Sequence, residues 1–292
     1  MGAKKSIQNV KKPNHYDLLI CLRCHTFYDH VIDTAESVVA NTDPKTTKLV
    51  FAIDKVDSDF TVKMVQRFGL ENVYVAQRKW GWGAGLFGML CRSILYFSGI
   101  YNYSHFMTID YDTLFLAPDV DRAILDEITD PNIGLLGVLR ESDRWQKMFR
   151  LQKVHLRGVL GTISPKISCK EGLQGGAMVL TNALITSFDK SHLLRRCEDV
   201  VSHTQIADDH LLPLIAKMHG FTIKDISKFA RCSWKMAVDP RGLEKRGKKI
   251  FHPVKSDGNK NQGRRYEYII RGYFKDLRKK QRPKSHLSRL KK

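Results

Sequence analysis

No stretch of about 18 consecutive apolar residues occurs in the chain, so the sequence offers no membrane-spanning helix. The opening MGAKKSIQNVKKPN has charges but no apolar centre and does not read as a secretory signal. Cysteine is sparse and scattered, 6 in 292 residues, which argues against a disulfide framework. Cys21 and Cys24 form one C-x-x-C, but no second pair follows at zinc spacing, and Cys21 is expected to end a buried strand. The expected setting is a reducing cytoplasm. Acidic residues are scarce at both ends. Of a formal net charge of +19, residues 1–12 contribute +4 and residues 241–292 contribute +15, so residues 13–240 net zero. Such ends suit a polyanion or an anionic surface, or serve only as solvated tails.

Between those ends the pattern alternates. YDLLICL (16–22) reads as a buried strand, and TFYDHVIDTAESVVANT carries Val31, Ile32, Ala35, Val38 and Val39 at helical spacing. KLVFAID (48–54) is a second strand, FTVKMVQRFGL a second helix closed by Gly69, and NVYVAQ a third strand. GLFGMLCRSILYFSG (85–99) is a buried helix and HFMTID (105–110) a fourth strand. This rhythm predicts an α/β fold, a parallel sheet with helices on both faces. Ligands in such sheets bind beyond the carboxyl ends of the strands, where Asp54, Asp110 and Asp112 fall.

TIDYDTLFL (108–116) is the strongest chemical signal. Two carboxylates one residue apart point the same way if the backbone stays extended. Close together they repel unless a cation lies between them. Hard divalent ions take oxygen ligands and leave positions for substrate phosphates, so the D-x-D suggests a diphosphate held through Mn²⁺ or Mg²⁺. A surface turn is the plain alternative. In RKWGWGAGLFG (78–88), Gly81, Gly83 and Gly85 can expose backbone N–H groups to a phosphate at a helix start. Trp80 and Trp82 can stack on a base or sugar, or pack in the core, and Arg78 and Lys79 can neutralise a diphosphate.

In order and spacing over 16–255 the chain resembles the GT-A glycosyltransferases, which pair a Rossmann-like nucleotide-sugar domain with a D-x-D. The fragments that carry the likeness are FAID, TIDYDTLFL, EGLQGGAMVLT (171–181), ADDHLL (207–212) and FHPVK (251–255). The resemblance implies a mixed, mostly parallel sheet and a catalytic domain over 13–255, with a basic arm at 1–12 and a basic helical extension at 256–292. It implies donor contacts at Arg23, Asp54, Arg78, Lys79, Trp82, Asp110, Tyr111, Gln174, Gly175, Gly176 and Lys255. It implies metal ligation by Asp110, Asp112 and His252. Catalysis falls to Asp208 or Asp209 beside the acceptor. The residue chemistry agrees. Gly175 and Gly176 let backbone approach a sugar. The imidazole of His252 suits Mn²⁺. Asp208 and Asp209 stand at a helix start that the helix dipole alone would explain for one of them; the second, beside His210, makes a base plausible.

The acceptor is read from the tail. In RRYEYIIRGYFKDLRKKQRPK, Tyr266, Ile269, Ile270, Tyr273, Phe274 and Leu277 form a helical stripe flanked by Arg264, Arg265, Arg271, Lys275, Arg278 and Lys279. The stripe either packs on the catalytic domain and leaves a basic face for nucleic-acid phosphates, or lies in an anionic membrane interface. The first is favoured, because both ends of the chain are basic. The expected acceptor is then a hydroxymethylated pyrimidine in DNA, as for phage-encoded DNA glycosyltransferases, which in a phage protein would place it in the host cytoplasm. Alternatives are a peripheral membrane glycosyltransferase with a polysaccharide or lipid-linked acceptor, and a nucleic-acid-binding protein or metal-dependent nuclease. The tail is expected to be separable, so that a chain lacking 258–292 keeps its metal site.

Overall fold

Strand β1 (His15–Cys24) is buried on both faces, and its side chains divide between them with period two. Leu18, Ile20 and Leu22 enter one core and Leu19 and Cys21 the other. In the computed structural model of the chain the described residues are 15–24, 27–54, 58–141, 143–161, 164, 167, 170–233, 239–254 and 262–281. The basic arm at 1–12, Lys255 and the end of the tail lie outside them.

The expected alternation is present: α1 (Tyr28–Ala40), β2 (Thr47–Ile53), α2 (Ser58–Phe68), β3 (Val73–Val75), α3 (Ala84–Ser98) and β4 (Asn102–Asp110). Gly69 stops α2 with φ +85°, a conformation that a side chain would strain. Then follow β5 (Leu114–Phe115), α4 (Val120–Leu125), β6 (Ile133–Glu141), α5 (Asp143–Leu160), β7 (Glu171–Thr181), α6 (Asn182–Lys190), α7 (Cys197–Ser202) and α8 (Asp208–Met218). The chain continues with β8 (Thr222–Asp225), β9 (Ala230–Cys232), α9 (Pro240–Lys245), β10 (Ile250–His252) and α10 (Gln262–Gln281).

Seven strands form one sheet in the order β3-β2-β1-β4-β7-β6-β8. The pairs β1–β2, β2–β3, β1–β4 and β6–β8 are parallel, and β7 runs antiparallel to β4 and β6. The fold is therefore Rossmann-like, a mixed and mostly parallel sheet with helices on both faces. One core holds α3, α6 and α8 against the sheet and the other holds α1, α2 and α4. Strand order reverses at β1, whose neighbours are β2 and β4, so a crevice opens beyond the ends of β1 and β4. Arg23 and Asp110 are direct partners across that pair. Because β7 is antiparallel, its middle at Gly175 and Gly176 lies beside the end of β4, with Ala177 opposite Ile109.

A second sheet, β5-β10-β9, sits past the crevice. Phe251 pairs with Leu114 two residues after Asp112, which carries His252 over the D-x-D. Helix α10 closes this part of the body. Ile270 and Phe274 are fully buried in a small core with Leu114, Leu116, Leu243, Phe251 and Val254. Burial of two such side chains stabilises the docked helix by roughly 1.5–3 kcal/mol each.

That docking is the arrangement the favoured reading of the tail expected, with differences in detail. Ile270 and Phe274 are covered by protein, so these two residues of the stripe are not offered to a bilayer. The buried face is also rotated from the one read in the sequence: Ile269 is exposed, and Glu267, Arg271 and Arg278 are buried. The flanking cations Arg271 and Arg278 are thus inside the molecule, where Asp33 on α1 pairs with both. Removal of α10 would uncover Leu114, Leu116, Phe251 and Val254 of the β5–β10 core. Among the described residues no helix is long and apolar enough to cross a membrane.

Candidate active site

The D-x-D is a turn and not extended strand. Strand β4 ends at Asp110, and the Thr113 N–H donates to the Asp110 carbonyl (3.0 Å). The two carboxylates converge because the chain reverses there. The turn is fastened from three sides. Thr34 on α1 donates to the Tyr111 carbonyl (2.6 Å), Thr113 Oγ1 to the Gly176 carbonyl (2.7 Å), and the Val254 N–H to the Asp112 carbonyl (2.7 Å).

Asp112 is fully buried, and His252 Nε2 lies 3.2 Å from Asp112 Oδ1 and 3.7 Å from Asp110 Oδ2. One ligand atom from each of the three residues lies within 4.8 Å of the others. Among the described residues neither ring nitrogen of His252 makes a hydrogen bond. Two carboxylates and a free imidazole around one point fit a divalent cation of the Mn²⁺ or Mg²⁺ type, as expected from the sequence. Gly176 makes room for this. Its φ is +98°, and a Cβ there would lie 2.2 Å from the His252 ring. Any side chain at 176 would displace His252.

Arg23 is the buried cation of the site. Its Nε donates to Asp110 Oδ1 (2.8 Å) and its Nη1 to Asp208 Oδ2. Burial works against its charge, but Asp110 and Asp208 outweigh it and hold the guanidinium charged. Helix α8 begins at Asp208 after Ala207, so both aspartates enter its first turn, and both are buried. Neither is the N-cap residue, so capping does not account for them. Burial raises Asp208 while Arg23 pulls against it. Asp209 does not touch the guanidinium in this way; burial first and the Asp208 charge second push it up to about 7. His210, whose Nδ1 is 3.5 Å from Asp209 Oδ1, is lowered by burial to about 4 and stands neutral at pH 7. Asp209 Oδ2 would meet a Cβ on Gly175 at 3.7 Å, so the two face each other at the middle of β7.

One cavity of about 270 Å³ is lined by Arg23, Asp110, Gln174, Gly175, Asp208, Asp209 and His252, together with Trp82, Leu86, Ser233 and Pro253. Gln174 is buried; with its amide turned to satisfy both ends it donates to the Cys232 carbonyl (3.1 Å) and accepts from Arg140 Nη1 (2.9 Å).

The other expected donor contacts are distributed differently. Asp54 accepts the N–H groups of Trp80 (2.8 Å) and Gly81 (3.0 Å), so it fastens the loop before α3. Trp80 is the core tryptophan and Trp82, 65% exposed, is the one at the cavity. Gly85 and Gly88 serve that burial, because a Cβ on either would lie within 2.2 Å of Trp80 atoms. Arg78 stacks on Trp80 (4.5 Å to the ring centre) and faces Glu198, outside the lining of this cavity. Lys79 is exposed and also outside it. Tyr111 turns its ring to Phe27, 6.0 Å between centres. Cys21 and Cys24 are buried, and burial pushes the Cys21 thiol up to about 12, which removes it from redox or metal chemistry at neutral pH. Ser233 had no sequence signal, and Pro253 was only a neighbour of His252 in FHPVK; they reach the cavity through the β9–β10 pairing and the Ser233 N–H to His252 carbonyl bond (2.9 Å).

Neither a protein-family model nor a curated protein matches the chain. Among solved structures it is similar to the bifunctional glycosyltransferase WbbM (13% identity, TM-score 0.44, 86% of this chain), of which it spans about half, 47%. It is also similar to the galactosyltransferase LgtC in complex with donor and acceptor sugar analogues (13% identity, TM-score 0.46, 88% of this chain and 95% of that one). A third is the mannosyltransferase PcManGT from Pyrobaculum calidifontis, in complex with GDP-Man and Mn²⁺ (10% identity, TM-score 0.47, 92% of this chain and 65% of that one).

Proposed function

We propose that the chain is a metal-dependent glycosyltransferase that moves a sugar from a nucleotide-sugar donor to a hydroxyl acceptor. One observation carries this reading: Asp110 and His252, grouped with the buried Asp112, line one switch-point cavity together with Asp209, which is raised to about 7. A divalent ion on the first three would supply positive charge to a leaving diphosphate. Arg23 keeps Asp110 and Asp208 oriented. Gly175 and Gly176 let backbone approach the sugar, and Gln174, fixed at both ends, presents a rigid polar wall to it. Asp209 takes the proton of the acceptor hydroxyl as its oxygen bonds to the anomeric carbon and the carbon–phosphate oxygen bond breaks, the electron pair leaving with the nucleoside diphosphate. A carboxylate near pH 7 is suited to that role. About 270 Å³ is small for a ligand site and takes the sugar–phosphate end of a donor, with the nucleoside running out along Trp82.

The acceptor that best fits the charge is a polyanion, with a hydroxymethylated pyrimidine in DNA as the specific proposal. Arg231, Arg246 and Lys248 crowd together: burial first and then Arg246 lower both Arg231 and Lys248. Like charges in this arrangement favour an anionic partner. Lys275, Lys279 and Lys280 remain exposed on α10.

The test is incubation with a panel of nucleotide sugars and Mn²⁺, with phosphodiester substrates in parallel. Release of a nucleoside diphosphate from one donor supports the transferase; DNA cleavage without donor hydrolysis would replace it with a nuclease. For the acceptor, duplex containing hydroxymethylcytosine should bind with an affinity that falls steeply with salt. Salt-insensitive or absent binding would remove DNA and leave the transferase.

A further inference from the structure

Arg271 on α10 reaches three parts of the molecule with one side chain. Its Nη1 donates to Asp33 Oδ2 on α1 (2.8 Å) and its Nε to Glu267 Oε1 (3.3 Å). Its Nη2 donates to the carbonyls of Val254 (3.0 Å) and Tyr111 (3.5 Å). Tyr111 is the residue between Asp110 and Asp112. Val254 lies two residues beyond His252, and its own N–H donates to the Asp112 carbonyl (2.7 Å). The guanidinium therefore bridges the two backbone segments that carry all three proposed metal ligands.

We propose that Arg271 is a positioning residue for the metal site, an inference that rests on the metal reading of Asp110, Asp112 and His252. The ligands come from distant parts of the chain, and the D-x-D is a turn, so their spacing depends on what holds the turn against the segment after β10. A planar fork with five donors does this in a way that a flexible ammonium does not. The surroundings fix the fork. Arg271 and Glu267 are buried, Glu267 also pairs with His30 Nε2 (3.1 Å), and Ile270 and Phe274 seat the helix beneath. The C-terminal helix is thereby part of the catalytic apparatus and not only a basic appendage.

A merely stabilising role is separable, because Arg278 pairs with the same Asp33, and among the described residues that is its ion-pair partner. Losing Arg278 should loosen the docking of α10 without releasing the Tyr111 and Val254 carbonyls. The experiment uses the full chain, without donor, and follows Mn²⁺ binding by the paramagnetic resonance of the free ion, with a thermal melt of every variant. Wild type should bind and Asp112→Asn should not. Arg271→Met and Arg271→Lys should bind about 10-fold or more weakly, the range seen when groups that orient metal ligands are lost. Arg278→Met should melt earlier yet keep its Mn²⁺ affinity within about twofold, well short of that range. If Arg271→Met does not fold, Arg271→Lys, which keeps the charge beside Asp33, decides alone. Wild-type affinity in folded Arg271→Lys, or equal weakening in Arg278→Met, would overturn the proposal while leaving the metal site standing. No Mn²⁺ binding by wild type, or unchanged binding by Asp112→Asn, would overturn the metal reading and Arg271's role with it.

Discussion

Two buried charge clusters flank the Asp110–Asp112 turn, and they differ in balance. The cluster between α1 and α10 holds Asp33 and Glu267 against Arg271 and Arg278, with His30 kept neutral by burial and by Arg271. Among the described residues it is two against two and every carboxylate is paired, with Arg271 reaching beyond it to the Tyr111 and Val254 carbonyls. The cluster at the strand ends holds Asp110, Asp112, Asp208 and Asp209 against Arg23, with His252 among them. Among the described residues its carboxylates outnumber its arginines, and a cavity opens beside it. Residue types and burial are alike; among the described residues, what separates the two is the balance of charge and the cavity beside the second. Desolvating like charges costs free energy unless something compensates, and the proposed divalent ion would supply that compensation at the strand ends.

The largest effect that would break this contrast is at Asp112. Asp112→Asn should reduce transfer by about 10³-fold, because several kcal/mol of charge stabilisation at the leaving group is lost. The same change should leave the melting temperature of metal-free protein unchanged or higher, since it removes one of the excess charges. A lower melting temperature with normal turnover would mean that the cluster is scaffold after all.

Asp33→Asn tests the balanced cluster. It leaves two buried guanidinium groups facing a neutral amide, and breaking a buried pair costs about 3–5 kcal/mol. Chemical denaturation should show that loss at high and low salt alike, because buried pairs are weakly screened. A change within 0.5 kcal/mol, the range of ordinary surface substitutions at roughly that size, would contradict the pairing.

At Asp209 the effect is on chemistry. Asp209→Asn should still bind donor and Mn²⁺ while transfer falls by about 10²-fold, the scale of a lost general base. Near-normal turnover would reduce the residue to part of the helix start.

The smallest and most specific effect is with pH. Transfer should rise as pH passes through about 7 and Asp209 loses its proton, and that limb should vanish in Asp209→Asn. Stability should run the other way. The folded-state value lies above the ordinary 3.8, so the contribution is complete below about pH 4 and is lost as pH rises through about 7. Wild type should therefore lose stability across that window relative to Asp209→Asn. Parallel curves for the two proteins would show that Asp209 is not the group that titrates.

The alternation from β1 to β4, the glycine stop after α2 and the D-x-D at the end of β4 were all legible, because period-two and period-3.6 burial and turn chemistry are short-range. The donor loop was legible only in part. Nothing local distinguishes Trp80 from Trp82; what does is a core pocket under Trp80 that Gly85 and Gly88 leave open. Likewise the periodicity of α10 announced an amphipathic helix but not the rotation of its buried face.

By itself, then, the sequence determined a parallel-sheet core, a pair of carboxylates at a strand end, an acidic helix start and two basic termini, since each of these is a property of neighbouring residues. Tertiary structure alone decided that His252 stands over Asp112, through a strand pairing with β5, and that burial beside Asp208 raises Asp209 to about 7. It alone decided that two arginines read as surface charge are interior, since the partner of Arg271 is 238 residues away in Asp33. The physical reason is the same in each case: the fate of a charge depends on which groups surround it after folding, and those groups are brought to it by the chain's long-range contacts.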